Sequence, residues 1–395
     1  MKVFIVDLLC ISPFYDKYLV QAIQKQGVDV EFFATSFVYE PSYWRDTGMT
    51  IASGLCDNVA LRGIRVVWLR RLLQIKEYIC NWRLLLQQAK QRKPDLVHIQ
   101  WLPLLEKTTL ELTFLRTLNR MKIPVVYTCH NALPHESHQR LIPRYARLYK
   151  EVSHIIVHSA QEKHRLISQL DVDAQKISIV GHGPLFGDLN VPSKEDAKKI
   201  LGYLGGVIMF VGIVRPYKGI HVLLKAWNTI LSRHPHTILV VAGQSHPKYK
   251  VRLQREVQLL GISDRVRFLD EYVRIENIPL LHAAADVAVF PYLHATQSGA
   301  LLTAVNFNAP VVATGTGGFS EVIEHGVTGF LATPGDTDSL ASALDTALKL
   351  TDEARESMVM KLRHKVDRDY GWQTIADQTI QIYAQTKALE GSQRG

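Results

Sequence analysis

Short apolar runs rich in valine and isoleucine alternate with longer amphipathic stretches along nearly the whole chain. In these runs even and odd positions are both apolar, which is typical of parallel strands covered by helices on two faces. Their alternation with helices predicts doubly wound α/β sheets. Ten runs carry the pattern: KVFIVDLL, DVEFFAT, DLVHIQW, PVVYTCH and HIIVHS in the first half, and residues 207–213, 237–243, 266–269, 286–290 and 310–314 in the second.

The strand pattern is interrupted between residues 181 and 202, where glycine, proline and aspartate cluster. We therefore predict two domains, 1–190 and 191–395, each with its own sheet. The tail YGWQTIADQTIQIYAQTKALE has helical spacing and no partner strand, so it is expected to pack across the domain junction. Because parallel sheets bind ligands beyond the carboxyl ends of their strands, the predicted active site is the cleft between the two domains.

Composition excludes several classes of protein. With 47% hydrophobic and 21% charged residues, the chain is typical of a globular protein rather than a disordered or fibrous one. Its four cysteines lack the spacing of a zinc site or a disulfide framework, so we expect reduced thiols in a cytoplasmic protein. The apolar start contains Asp7 and is interpreted as a strand, not a signal peptide, and no run approaches the roughly 18 apolar residues of a membrane span.

Positive charge is concentrated in residues 62–93. The chain carries a formal net charge of +9, and this segment holds nine basic residues and one acid, Glu77, together with Trp68 and Trp82. Such a segment fits an anionic membrane surface, with cations among the headgroups and Trp and Leu below them. It fits equally a surface helix whose apolar stripe faces the domain core. No nucleic-acid-binding motif accompanies the charge, so no nucleic-acid partner is expected.

A basic turn in the second half is a candidate phosphate site. In FVGIVRPYKGIHVLLKAW a strand ends near Ile213, Arg215 and Lys218 follow, and a helix begins close to Gly219. Gly212, at the end of the strand, is a candidate donor-binding residue. Two cations beside a helix N-terminus would neutralise a diphosphate. A solvated basic turn would have the same sequence, so this turn alone does not decide between the two.

Two further strand-to-helix junctions could contact a ligand. In HATQSGALLTAVNFNAP, Ser298 and Gly299 fall at the predicted start of a helix, where a hydroxyl and a residue without a Cβ let a ligand approach the N–H groups. A plain helix cap is the alternative. A glycine-rich turn after the next strand could bring the main chain to substrate hydroxyls, although a tight turn would look the same. Its candidate donor-binding residues are Gly317, Gly318, Phe319, Ser320 and Glu321.

Polar residues also follow strands of the first half. His130 ends the run PVVYTCH and is expected to hydrogen-bond a sugar or acceptor hydroxyl, with Asn131 beside it. Ser12 follows the first strand and is a weaker candidate for a main-chain or hydroxyl contact. No group of histidines or carboxylates has the spacing of a helical metal site, so no metal is expected.

Taken in order, these motifs resemble those of the nucleotide-sugar-dependent glycosyltransferases of family 4, which have the GT-B fold of two Rossmann-like domains facing across a cleft. The resemblance implies that Arg215 and Lys218 hold the donor diphosphate and that His130 contacts the transferring sugar. It also implies that the last helix, at about 372–390, crosses back to the N-terminal domain. The motifs that carry it are PVVYTCHN, FVGIVRPYKGIHVLLKAW, DVAVFPY, NAPVVATGTGGFSEVIEHGVTGFL and the late YGW.

The resemblance implies transfer of a hexosyl group from a nucleoside diphosphate sugar to an acceptor hydroxyl, with retention and without cofactor or metal. Together with residues 62–93, it leads us to expect a lipid-linked or saccharide acceptor in exopolysaccharide, lipopolysaccharide or glycolipid assembly. The protein would then be cytoplasmic or peripheral on the inner face of the membrane. A soluble-acceptor sugar synthase, a sugar-nucleotide epimerase and a non-catalytic binder of nucleotide sugars remain alternatives.

Two stretches depart from the family pattern. Where the family usually has two glutamates eight positions apart, near the donor sugar and the ribose, this chain has Ala295 and Thr303. Neither side chain accepts two hydrogen bonds as a carboxylate does, so this part of donor recognition is expected to be lost or rebuilt through residues such as Gln297 and Ser298. Where the family often has a Gly-Gly turn, this chain has LLCISPFYDKYL, which contains Ser12.

Overall fold

The computed structural model describes residues 1–45, 47–61, 66–132, 138–295 and 299–392. The chain divides into two compact units, the first formed by Met1–Gly181 with Trp372–Gly395 and the second by His182–Gly371. The division therefore falls at residue 181 rather than at about 190.

A parallel sheet forms the centre of the first unit. Its elements along the chain are β1 (Lys2–Asp7), α1 (Pro13–Lys25), β2 (Asp29–Ala34), α2 (Asn58–Leu61), α3 (Val67–Arg92), β3 (Leu96–Ile99), α4 (Leu110–Arg120), β4 (Val125–Cys129), α5 (His138–Glu151), β5 (His154–Val157), α6 (Ala160–Leu170) and β6 (Ile177–Ile179), with α15 (Trp372–Ser392) added from the C-terminus. All six strands are parallel, in the order β2-β1-β3-β4-β5-β6.

Each face of this sheet is covered by its own layer of side chains. Along β1, Val3 and Ile5 pack into a layer that includes residues of α1 and α15, whereas Phe4 and Val6 pack into a layer that includes residues of α3 and α4. These four side chains are at most 1% exposed. The period-two geometry of a strand thus places alternate apolar residues in two separate cores.

The C-terminal helix α15 belongs to the first unit and packs against α1. Its Tyr383 is fully buried and lies against His98 of β3, and its Lys387 forms an ion pair with Asp95 at 2.7 Å. The last helix is therefore attached to the sheet that the N-terminal residues form.

The second unit repeats the architecture. Its elements are α7 (Lys194–Leu201), β7 (Gly206–Val211), α8 (Ile220–Ile230), β8 (Thr237–Ala242), α9 (Pro247–Leu259), β9 (Val266–Leu269), α10 (Ile278–Ala283), β10 (Val287–Phe290), α11 (Gly299–Ala304), β11 (Val311–Thr314), α12 (Phe319–Val322), β12 (Phe330–Ala332), α13 (Thr337–Leu348) and α14 (Asp352–Tyr370). The strands are again parallel, in the order β12-β11-β10-β7-β8-β9.

Two parallel sheets with helices confirm the predicted α/β fold, and each of the ten apolar runs overlaps one strand. The edge strands β6 and β12 were not predicted, because three residues are too short for a periodic signal. The boundary lies earlier than predicted because the residues after β6 pack within the second unit. There the Asn306 side chain donates a hydrogen bond to the Leu185 carbonyl at 2.9 Å.

The two halves of α3 differ in their surroundings. Its C-terminal half is buried along one stripe, at Tyr78, Trp82, Leu85 and Ala89. Its N-terminal half instead exposes apolar and basic residues to solvent, at Val66, Trp68, Leu69, Leu72 and Ile75 and at Arg71 and Lys76. The basic segment therefore contains a core-facing part and an exposed part, while its residues 62–65 lie outside the described ranges. No helix among the described residues has the length and apolarity needed to span a bilayer.

A buried carboxyl group joins α3 to α4. Glu111, in the first turn of α4, accepts hydrogen bonds from the Tyr78 hydroxyl and from the Leu104 N–H, the latter at 3.1 Å. Burial raises the pKa of Glu111 to about 7, although these hydrogen bonds oppose the shift. The folded unit therefore binds this proton more tightly than the unfolded chain does.

Because the folded-state pKa of Glu111 lies above the unfolded value of 4.5, stability should fall as the pH rises from about 4.5 to about 7 and then level off. The full shift corresponds to about 3 kcal/mol. We expect Glu111→Gln, which keeps an acceptor for both donors, to lose less unfolding free energy than the wild type between pH 5 and pH 8, as measured by urea unfolding. The exposed Glu106→Gln is the control, and equal pH dependence in all three proteins would contradict the prediction.

Candidate functional site

Both sheets have a point where the strand order reverses, between β1 and β3 in the first and between β7 and β10 in the second. The connections on either side of such a point cross opposite faces of the sheet, which opens a crevice at the carboxyl ends of the two strands. The predicted site residues Ser12 and His130 follow β1 and β4, and Arg215 and Lys218 follow β7.

In the second unit the Lys218 side chain is buried, with only 9% of its surface exposed. Its ammonium lies 4.8 Å from the centroid of the Tyr292 ring, in cation–π range. Burial disfavours the charged form, but the Tyr292 and Tyr217 hydroxyls more than offset this, so the pKa of Lys218 is raised. The side chain is therefore a buried cation at neutral pH, while Arg215 is exposed on the same turn.

Glycine residues allow the main chain to approach closely around this lysine. A Cβ at Gly212 would lie 3.3 Å from the Lys218 Nζ, and one at Gly219 would lie 1.9 Å from the Pro291 carbonyl oxygen. Gly219 also has a φ of +70°, a left-handed conformation that other residues rarely adopt. The Leu293 N–H donates to the Tyr217 carbonyl at 2.7 Å, so the turns after β7 and β10 are joined directly.

The helix α11 begins at Gly299, and the predicted contacts Gln297 and Ser298 lie outside the described residues. Gly299 lies against the His182 imidazole, since a Cβ there would be 2.7 Å from its Cε1. Thr303 is 4% exposed, and its hydroxyl has no hydrogen-bond partner within the described part of the chain. Ala295 is partly buried.

The glycine-rich turn before α12 has mixed geometry. Gly317 has a φ of +55°, which favours glycine, whereas the buried Gly318 has an ordinary helical conformation. Ser320 and Glu321 are exposed, and the Ser320 hydroxyl donates to the Gly317 carbonyl at 3.1 Å. The Phe319 side chain is 1% exposed and belongs to the hydrophobic core, so the prediction for this residue concerns its main chain alone.

In the first unit, His130 lies among aromatic and polar groups. Its ring stacks on Trp101 with centroids 4.7 Å apart and an interplanar angle of 5°, and it meets Tyr15 edge-on at 5.2 Å. Its Nδ1 is 3.2 Å from the His158 Nε2 and its Nε2 is 3.3 Å from the Gln100 Oε1. Asn131 follows directly and is also partly buried.

The prediction for Ser12 is corrected by its hydrogen bonds. Its N–H donates to the Asp7 carboxylate at 2.9 Å, and its hydroxyl donates to Asp16 at 3.2 Å. The same hydroxyl accepts a hydrogen bond from the Trp101 indole at 2.9 Å. Ser12 therefore uses both its main-chain donor and its hydroxyl proton within the protein, and it positions Trp101 rather than offering these donors to a ligand.

Behind Ser12 lies a pair of fully buried carboxyl groups, Asp7 and Asp16. Burial raises the pKa of both, and the pKa of Asp16 is raised further by the neighbouring charge of Asp7. Two adjacent buried carboxyl groups cannot both ionise, so Asp16 keeps its proton beside the Asp7 carboxylate. This pair fixes the loop that follows β1 through the N–H groups of Ile11 and Ser12.

Sequence reasoning missed several groups at these strand ends. Tyr292 follows β10, Asp7 ends β1, Gln100 and Trp101 follow β3, and His158 follows β5. The signal was available, because the rule that selected His130 at the end of β4 also selects the first polar residue after every other strand.

The two parallel sheets with their helices form the GT-B fold of glycosyltransferases. HepE of Anabaena, solved with UDP-glucose, aligns with a TM-score of 0.75 at 19% identity, covering 98% of this chain and 100% of that one. Two family models match different parts of the chain. Residues 17–183 match Glycosyltransferase Family 4 and residues 205–349 match Glycosyl transferases group 1. Together they support a glycosyltransferase of the family 4 type.

Curated relatives agree with this assignment. An uncharacterised glycosyltransferase of Methanocaldococcus jannaschii is 30% identical over 240 residues, which cover 59% of this chain and 60% of the relative. D-inositol 3-phosphate glycosyltransferase of Corynebacterium efficiens is 26% identical over 297 residues, which cover 68% and 67%. The chain therefore matches about 60% to 67% of the length of these two relatives.

Gly219 and Gly261 have the same left-handed backbone conformation but different surroundings, so substituting each by alanine separates steric crowding from backbone strain. Gly261→Ala, at a φ of +67° with open space around it, should cost about 1 kcal/mol for the left-handed conformation. Gly219→Ala carries the same strain and also the contact with the Pro291 carbonyl, so we expect at least about 2 kcal/mol more. Urea unfolding measures both values. Equal destabilisation by the two substitutions would show that Gly219 is not packed against the Pro291 carbonyl as described.

Proposed function

We propose that this protein transfers a sugar from a nucleoside diphosphate sugar to an acceptor hydroxyl, retaining the anomeric configuration. The observation that carries the proposal is the buried, charged Lys218 at the reversal point of the second sheet, with Arg215 exposed on the same turn. A buried cation next to a switch point is suited to a diphosphate, whose charge increases as the sugar departs. The family resemblance supports the same assignment for both residues.

The chemistry that these residues supply is mainly electrostatic. Lys218 is fixed by burial and by the Tyr292 ring, so its charge needs little reorganisation when the leaving group develops negative charge. Arg215 supplies a second cation, capable of bidentate hydrogen bonding to phosphate oxygens. In the first unit, His130 orients the transferring sugar by hydrogen bonding. Retention follows if the acceptor attacks on the face from which the diphosphate leaves.

The donor is proposed to be a uridine diphosphate hexose, because HepE, which shares the fold, was solved with UDP-glucose. Contacts to the sugar and ribose are proposed to differ from the paired-glutamate pattern. Ala295 has no polar side-chain atom, and the Thr303 hydroxyl lies in a side chain that is only 4% exposed. Binding would then depend more strongly on the diphosphate, and Gly317, Gly318 and the exposed Ser320 and Glu321 would be the remaining donor contacts. No metal or cofactor is proposed.

Donor binding tests the role of Lys218. UDP-, GDP- and ADP-sugars are compared by thermal shift, since a bound ligand raises the apparent melting temperature. We expect a UDP-sugar to stabilise the protein, and Lys218→Met to weaken its binding about 10- to 100-fold through loss of a charge-assisted hydrogen bond. The matched control is Lys225→Met on α8, whose lysine pairs with Glu256 at 3.6 Å.

Turnover then separates the alternatives. Transfer with the donor's anomeric configuration in the product, read by NMR, supports the proposal, and an inverted product contradicts retention. Epimerised donor formed without acceptor would favour an epimerase. Nucleotide binding without any turnover would favour a non-catalytic binder, and unchanged affinity in Lys218→Met would remove the lysine from the donor site.

The acceptor is proposed to be lipid-linked and reached at an anionic membrane surface, in polysaccharide or glycolipid assembly. This rests on the exposed half of α3, where Trp68, Leu72 and Ile75 follow the i, i+4, i+7 spacing of one helix face. Arg71 and Lys76 are exposed on the same half. Apolar side chains beside cations complement the interface of an anionic bilayer.

Vesicle sedimentation tests this surface. We expect the protein to sediment with vesicles of phosphatidylglycerol and phosphatidylcholine at low salt, and to be released by salt that screens its cations. Trp68→Glu with Leu72→Glu should abolish sedimentation. Leu259→Glu, which alters a leucine that is 75% exposed on α9, is the control. Absence of sedimentation at low salt would instead favour a soluble acceptor, as the name of the inositol phosphate relative suggests.

A further inference from the structure

His130 is held by a chain of hydrogen bonds, and the role of this chain in sugar transfer rests on the proposed function. Imidazole has two different nitrogens. The hydrogen bond that one nitrogen makes determines which of the two carries the proton in the neutral ring. A histidine that orients a substrate is useful only if this choice is fixed. The surroundings of His130 contain the groups needed to fix it.

The hydrogen-bond chain begins at a main-chain carbonyl, which can only accept. The His158 Nδ1 lies 2.9 Å from the Val180 carbonyl oxygen, so Nδ1 must carry the proton. His158 is 5% exposed, and burial lowers its pKa to about 4, although the Val180 hydrogen bond opposes the shift. The ring is therefore neutral at pH 7, and its Nε2 has a lone pair rather than a proton.

The lone pair on the His158 Nε2 determines which nitrogen of His130 carries the proton. The His158 Nε2 is 3.2 Å from the His130 Nδ1, and one of the two nitrogens must donate. Since the His158 Nε2 can only accept, the His130 Nδ1 carries the proton. The remaining nitrogen of a neutral His130, Nε2, then has the lone pair.

Gln100 meets this second nitrogen, with its Oε1 3.3 Å from the His130 Nε2. A half-turn of an amide exchanges its oxygen and its NH2 group. Gln100 can therefore donate to Nε2 when the imidazole is neutral and accept from it when the imidazole is protonated. The contact is long for a hydrogen bond, so a substrate hydroxyl can replace it at small cost.

The ring plane is held by packing as well as by hydrogen bonds. Trp101 covers one face of His130, and Tyr15 of α1 meets it edge-on. His158 and Tyr15 are titratable groups in contact with the ring, and the Asp16 and Asp7 pair lies behind Tyr15. On the other side of Gln100, His98 lies 3.3 Å from the amide and is itself bonded to Thr128 and to Tyr383 of α15.

We propose that His158 is a positioning residue that fixes the Nδ1-protonated tautomer of His130, and that Gln100 supports either charge state at Nε2. Nε2 is then the nitrogen that accepts a hydrogen bond from a sugar or acceptor hydroxyl. His158 touches no reacting atom and acts only through His130, as the third residue of a catalytic triad acts through its histidine.

Nitrogen-15 NMR of the ring atoms tests the tautomer without any substrate. At pH 8 the wild-type His130 should show a protonated Nδ1 and an unprotonated Nε2. His158→Leu removes the acceptor, so the neutral ring should shift towards the Nε2-protonated form. His158→Gln offers an amide oxygen in place of the lost Nε2 and should restore part of the wild-type signature. A wild-type ring protonated at Nε2, or a His158→Leu ring unchanged from wild type, would overturn the proposal.

The control is His154→Leu at the start of β5, the strand that His158 follows. His154 is 7% exposed, its Nε2 is 2.9 Å from the Ser178 hydroxyl, and no described contact joins it to His130. This variant should keep the wild-type tautomer, which separates a specific effect from general loosening of the strand. If the protein transfers sugar, His158→Leu should lower kcat on the order of 10- to 100-fold with less change in the donor KM. Loss of the tautomer in His154→Leu would also overturn the proposal, whereas failure of transfer with an intact tautomer would count against the proposed function alone.

Discussion

Burial of both faces of the two parallel sheets is the constraint on which the other features depend. Since each strand packs alternate side chains into two apolar layers, most strand positions must be apolar. The polar and charged side chains that could bind a ligand therefore lie at and beyond the carboxyl ends of the strands. Asp7, Gln100, His130 and His158 occupy such positions in the first sheet, and Lys218 follows a strand of the second. The parallel arrangement brings groups from distant parts of the chain to one edge.

The carboxyl ends of the strands in the two sheets differ in the charge of the side chains buried there. In the second unit a full charge is buried at Lys218, and it is tolerated because Tyr292 presents the electron-rich face of its ring and a hydroxyl. In the first unit the buried histidines are neutral, since burial lowers the pKa of His98 to about 3 and that of His158 to about 4. A fixed cation suits a diphosphate, while neutral hydrogen-bonding groups suit the orientation of hydroxyls.

Much of the fold could be predicted from the sequence, because buried strands and helices require apolar residues at regular positions. This pattern of apolar residues carries little information on hydrogen-bond partners. Ser12 was assigned to a ligand although Asp7 and Asp16 occupy its donors, and no pattern showed that the Phe319 side chain, in the predicted donor turn, lies in the core. His130 was selected by its position at a strand end and by the family resemblance. Its positioning residue His158 obeys the same rule, but its role depends on a single carbonyl, which no pattern encodes.

The helix α3 shows why the basic segment fitted two interpretations. Its 26 residues extend about 39 Å, whereas the six residues of β1 extend about 20 Å. A helix longer than the strands beneath it can cover the core with only part of its length. Its C-terminal half does so through Tyr78, Trp82 and Leu85, which leaves the apolar side chains of the other half exposed. The core therefore accounts for the buried half of this apolar pattern, and the proposed membrane surface rests on the exposed half alone.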